Sequence, residues 1–142
     1  MKISIACDHG GLQLKQLVKA YLEMQNHEVV DFGTNTLDSC DYPDFAKPCA
    51  QAVANGTVDK GIVICTSGVG VSIVANKVKG VRCALCFNKE MATLARQHNN
   101  ANMLAMGAKY VGLDKFTGIV DAFLTTDFEG GRHIRRVEKI ED

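Results

Sequence analysis

Val63-Ile64-Cys65-Thr66-Ser67-Gly68-Val69-Gly70-Val71-Ser72-Ile73-Val74-Ala75-Asn76-Lys77 is the stretch whose reading decides the fold. The apolar run Gly61 to Ile64 has the length and β-branched content of a buried strand. It ends on a thiol and two hydroxyls, and two glycines then let the backbone turn. Val71 to Lys77 reads as the first turns of a helix. This order sets a cysteine at the carboxyl end of a strand, facing backbone N–H groups that a helix start leaves unpaired. Such groups stabilise anions, a thiolate included. The arrangement suits enolate-type chemistry, in which a base sits at the lip of an oxyanion cradle. The plainer alternative is a strand-to-helix turn with glycines for packing.

Outward from this stretch, strands and helices alternate. Lys2 to Cys7 is a first strand, broken by Asp8-His9-Gly10-Gly11, and Leu12 to Met24 repeats apolar residues at helical spacing. Glu28 to Phe32 is a second strand, Thr34 to Pro43 a polar loop, and Asp44 to Asn55 a helix disturbed by Pro48. After the central stretch come a strand over Val81 to Phe87 and a helix over Lys89 to Gln97, capped by Asn88. A strand over Asn102 to Gly107, a helix over Leu113 to Leu124 and a terminal helix over Arg132 to Ile140 complete the chain. The alternation predicts an α/β fold. Specifically, it is a three-layer α/β/α doubly wound (Rossmann-like) sandwich with a five-stranded parallel sheet and a C-terminal helical extension, in one domain over 1–142. Ligands on such sheets bind beyond the carboxyl ends of the strands. Asp8, His9, Tyr42, Cys65 and Ser67 should therefore meet at that edge.

Composition narrows the class. The 142 residues are 46% apolar and 23% charged, with 16 basic and 16 acidic side chains, so no basic face points to nucleic acid. No run approaches a membrane span of roughly 20 residues, and the start is too short for a signal sequence. A cytoplasmic location is expected. Of the six cysteines, Cys7, Cys83 and Cys86 lie in apolar strand-like runs, as reduced core thiols do. Cys83 and Cys86 have redox or zinc spacing, but in a strand they point to opposite faces, and no second pair follows.

Other constellations carry chemistry. Asp8 offers an acid/base group or a helix cap, and His9 with Gly10 and Gly11 a ligand approach. Gly68-Val69-Gly70 lacks the remainder of a dinucleotide fingerprint, and Lys77 comes too late for a phosphate loop. His98 suits proton transfer, or simply the favourable end of a helix dipole. Arg132 and Arg136, four apart after Gly130-Gly131, present two guanidinium forks on one face.

These residues together resemble the type B ribose-5-phosphate isomerases, a family that also includes galactose-6-phosphate isomerase subunits. The resemblance rests on Met1 to Gly11, Cys65 to Lys77, Arg96-Gln97-His98-Asn99 and Gly130-Gly131-Arg132-His133, and spans nearly the whole chain. It implies interconversion of ribose 5-phosphate and ribulose 5-phosphate through a cis-enediolate, with no metal and no cofactor. Cys65 would be the base moving a proton between C2 and C1, favoured as thiolate by the helix start. The backbone of Ser67, Gly68, Val69, Gly70 and Val71 would hold the enediolate oxygen. Ser67 would serve the hydroxyl proton between O1 and O2. His98 would open the furanose ring, assisted by Asp8. Asn99 and Tyr42 would contact the sugar, and His9, Arg132 and Arg136 the phosphate. The resemblance also implies a homodimer, or a dimer of dimers, with His98-Asn99 reaching the partner's loop.

The chain departs from the family pattern in places. Thr66 stands where glycine is common, restricting the backbone. Val71 stands where one branch carries a glutamate base, so Cys65 assigns the chain to the cysteine branch. Lys109 replaces a phosphate-binding arginine, keeping the charge without the fork. Three readings compete with the pentose reaction: isomerisation of a six-carbon sugar phosphate such as allose or galactose 6-phosphate, a non-catalytic sugar-phosphate-binding module, and a thiol redox protein.

Overall fold

A computed structural model describes residues 1–142. The strands are β1 (Lys2–Cys7), β2 (Glu28–Asp31), β3 (Lys60–Cys65), β4 (Cys83–Leu85) and β5 (Met103–Gly107). All pair in parallel, in the order β2-β1-β3-β5-β4. The helices are α1 (Leu12–Met24), α2 (Pro43–Ala54), α3 (Val69–Asn76), α4 (Lys89–Asn99), α5 (Phe116–Thr125) and α6 (Arg132–Ile140). The expected doubly wound sheet is present, with its last two strands exchanged in space. The chain leaves β1 toward one edge and β3 toward the other, so a topological switch lies between them.

The pleat explains the layers. Ile3, Ile5, Ile62, Ile64, Leu104 and Met106 face one side and form a core with α1, α4 and α5. Ala6, Val63, Cys65, Met103 and Ala105 alternate with them and pack with α2 and α3. This parity turns Cys65 toward the helix that starts four residues later. Cys83 and Cys86 fall in opposite layers, as their spacing requires. No helix is long and apolar enough to cross a membrane.

Some element boundaries differ from the sequence reading. β4 covers only Cys83–Leu85 instead of Val81 to Phe87. Asn76 takes both backbone groups of Cys83, and the Arg82 N–H donates to Asn102 Oδ1 at 2.7 Å. The Asn76 side chain thereby takes the place of a further strand on the open side of β4, and Asn102 ties Arg82 to β5. α5 begins at Phe116, because Gly112 to Lys115 forms a turn closed by the Lys115 N–H on the Gly112 carbonyl. α2 runs unbroken through Pro48.

One buried cation anchors the polar loop. Lys15 is 1% exposed, and its Nζ donates to Asp31 Oδ1 at 2.8 Å, Asp31 Oδ2 at 3.0 Å, Thr34 O at 2.6 Å and Asn35 Oδ1 at 2.9 Å. Burial opposes the charge on Asp31. The bond from Lys15, the Gly33 N–H and nearby Lys19 outweigh it and hold the carboxyl below its ordinary value.

Candidate active site

At the carboxyl edge, two loops close on each other. Cys65 ends β3 opposite Gly107 and is 5% exposed. Its Sγ accepts the Gly68 N–H at 3.1 Å. Gly68 has φ +79, which positions its amide there and which a side chain resists. The Val69 N–H donates to Ser67 Oγ at 3.2 Å. Gly70 and Val71, in the first turn of α3, have N–H groups with no partner in the chain. The thiol therefore adjoins two unused donors at a helix start, as an oxyanion cradle requires.

The remaining side chains at this edge are placed by short turns. Asp8 Oδ1 accepts the Gly10 and Gly11 N–H groups at 2.9 and 3.1 Å, so the carboxylate caps the His9–Gly11 turn. His9 Nδ1 accepts the Cys40 N–H at 3.3 Å, which leaves Nε2 as the nitrogen free to donate. The Tyr42 ring lies against Gly70, where a Cβ would stand 2.7 Å from the ring. Lys109 joins a small cavity of about 310 Å³ with Gly10, Gln13 and Thr66. The larger cavity, about 680 Å³, lies far from the thiol, between Lys79, Arg82, Asn99 and Glu141.

His98, Asn99, Arg132 and Arg136 are elsewhere. α4 ends at the amino edge of the sheet, where Asn102 O accepts the Gly61 N–H at the start of β3. Four residue rises along β3, from Gly61 to Cys65, separate the two levels, roughly 13 Å. There, His98 Nε2 lies 3.4 Å from Glu129 Oε1, and the His133 ring stacks on His98 with centroids 4.5 Å apart. Burial first, then His98 and Arg132, push His133 below its ordinary value. The donor atoms of His98, Glu129 and His133 lie within 4.8 Å of one another and could hold a metal ion. The neighbouring Arg132 and Arg136 oppose a cation, so the group suits proton handling better. The Cys65 loop and the His98 group thus lie at opposite edges of the sheet.

Four thiols away from this loop are poor nucleophiles. Burial pushes Cys7 and Cys49 up to about 12 and Cys86 up to about 11, and raises Cys83 as well. All six cysteines are free, so the thiol redox reading lacks a disulfide.

The model of the ribose/galactose isomerase family matches residues 3–140. This chain belongs to that family. Within it, the chain is 49% identical over 139 residues to ribose-5-phosphate isomerase B of Escherichia coli, covering 98% of this chain and 93% of the relative. Its fold superposes on ribose-5-phosphate isomerase B of Clostridium thermocellum with TM-score 0.98 and 52% identity, covering 99% and 95% of the two chains. It also superposes on the Mycoplasma genitalium ribose-5-phosphate isomerase B with bound ribulose 5-phosphate, with TM-score 0.95 and 48% identity over 99% and 93%. The type B members share the sheet described above, and the chain is an isomerase by this membership.

Sequence reading did not single out Glu129, which contacts His98, or Cys40, which contacts His9. Glu129 precedes a glycine pair in a link without periodicity. Only its contact with α4 reveals it.

Proposed function

We propose that the chain interconverts ribose 5-phosphate and ribulose 5-phosphate through a cis-enediolate, at a site completed by a second copy of itself. The observation that carries the chemistry is the Cys65 thiol, 3.1 Å from the Gly68 N–H and beside the unpartnered Gly70 and Val71 N–H groups. Cys65 as thiolate takes the C2 proton of the open-chain aldose and returns it to C1. Charge that develops on the substrate oxygen meets the Gly70 and Val71 donors, already oriented by the helix, so little reorganisation is needed. Ser67 relays the hydroxyl proton between O1 and O2. His98 opens the furanose ring, with Asp8 assisting through the loop it caps, and Asn99 and Tyr42 hold the sugar hydroxyls. His9, Arg132 and Arg136 bind the phosphate, and Lys109 adds positive charge without a fork.

Two observations support the second copy. The half-sites lie at opposite edges of one sheet, too far apart to act on one small sugar. Beside the cradle, α3 exposes Val69 and Ile73, 45% and 55% accessible and four residues apart. This apolar stripe favours cover by another copy.

The test follows hydrogen exchange at C2 in heavy water, on ribose 5-phosphate and allose 6-phosphate, with wild type and Cys65→Ala. Exchange on the pentose that falls about 10²- to 10⁴-fold in the variant, with sugar-phosphate binding retained, is the expected result. Exchange on the hexose alone reassigns the substrate. No exchange on either sugar overturns the reading and leaves a binding module.

A further inference from the structure

The Glu129–His98–His133 group goes beyond the roles assigned above. Glu129 is fixed by backbone contacts, not by its own helix. Its N–H donates to Gln97 O at 3.1 Å, one residue before His98. Arg96, almost fully buried, donates through Nε to Thr126 O at 3.0 Å and through a terminal nitrogen to Ala101 O at 2.7 Å. These bonds lace the 126–129 link to the last turn of α4. Gly130 and Gly131, at φ +71 and +57, then turn the chain into α6, which carries His133 back over His98. The outcome is one carboxylate oxygen 3.4 Å from His98 Nε2 and 3.8 Å from His133 Nε2.

We infer that Glu129 is the positioning residue of the ring-opening step, holding the His98 proton on Nε2 and leaving Nδ1 as the atom that meets the sugar. This rests on the reading of His98 given above. A carboxylate on one imidazole nitrogen selects the tautomer in which that nitrogen carries the proton. The contact with Glu129 is a charge contact at Nε2, and Nδ1 meets no hydrogen-bond partner within the chain. His133 stacks nearly parallel on the His98 ring and restricts its rotation. Glu129 Oε1 stands nearer His98 Nε2, at 3.4 Å, than His133 Nε2, at 3.8 Å, so Glu129 acts chiefly on His98. In the step itself, Nδ1 takes the proton of the anomeric hydroxyl, the C1–O4 bond breaks as the C1 carbonyl forms, and the same proton passes to O4. No oxidant or co-reactant is needed.

Ring opening separates from enediolate formation, because ribulose 5-phosphate has no ring to open. Two rates are measured on Glu129→Gln, Glu129→Asp and His98→Asn: turnover from ribose 5-phosphate, and hydrogen exchange at C1 of ribulose 5-phosphate in heavy water. Glu129→Gln is expected to slow turnover about tenfold or more, keep C1 exchange within about twofold, and leave the melting temperature unchanged. Glu129→Asp should recover part of the turnover. Equal loss of both rates, or loss of neither, overturns the role of Glu129. If Glu129→Gln folds poorly, the same split is read from Glu129→Asp, which keeps the carboxylate and shortens its reach. Loss of C1 exchange in His98→Asn instead overturns the ring-opening role of His98, a separate failure.

Discussion

Gly10 lies directly under Thr66: a Cβ built on Gly10 would overlap the Thr66 hydroxyl. The loop after β1 and the loop after β3 are thus keyed together across the switch point, and the key is a glycine facing a threonine. The threonine side chain is accommodated here because Gly10 has none.

Gly10→Ala should therefore cost about 1–3 kcal/mol of stability through overpacking. The same change in a Thr66→Gly background should cost markedly less. A double-mutant cycle by denaturant unfolding measures the coupling. Additive effects would show that the two loops do not press on each other.

Lys15 is held by four oxygens and is almost inaccessible. Lys15→Met should destabilise the fold by about 3–5 kcal/mol, since it strands a partly buried Asp31. The pH dependence follows from the direction of the Asp31 shift. Its carboxyl is held below 3.8 in the fold, so its stabilisation is fully present above that value. It is lost as acid titrates the folded group beneath it. Asp31→Asn should cost most near neutrality, and its difference from wild type should shrink below pH 3.8 in urea-unfolding series.

Mixing two inactive variants tests the shared site. Cys65→Ala and His98→Asn, each inactive alone, should regain about a quarter of wild-type activity after mixed refolding. Random pairing gives half the dimers one intact site of two. No recovery, with mixed dimers confirmed by mass, would place Cys65 and His98 in one protomer's site.

Thiol labelling checks burial. Iodoacetamide at pH 8 should leave Cys7, Cys49 and Cys86 unmodified in the native protein, because burial pushes them to about 12, 12 and 11. Peptide mass mapping before and after urea unfolding reads this directly.

Much of the architecture was legible in the sequence because it depends on local periodicity. Alternating strands and helices demand a parallel sheet, and the odd-even pleat of Ile62, Val63, Ile64 and Cys65 fixes which face the thiol takes. The Cys65 to Val71 cradle is equally local, made by residues in one turn. The exchange of β4 and β5 was not legible, since strand order is set by how helices pack across the sheet. Nor was the shortening of β4, which depends on Asn76 and Asn102 reaching from other elements.

The site divides along the same line. The sequence by itself determined the fold class, the strand-to-helix turn that carries Cys65 and the family, because those properties reside in contiguous residues. Only the tertiary structure decided that His98 stands at the opposite edge of the sheet from Cys65. Only it brought Glu129, from a link with no pattern of its own, against His98. Both depend on chain direction through a parallel layer: a helix returns antiparallel to its strands, so residues at its carboxyl end come to rest at the strands' amino ends.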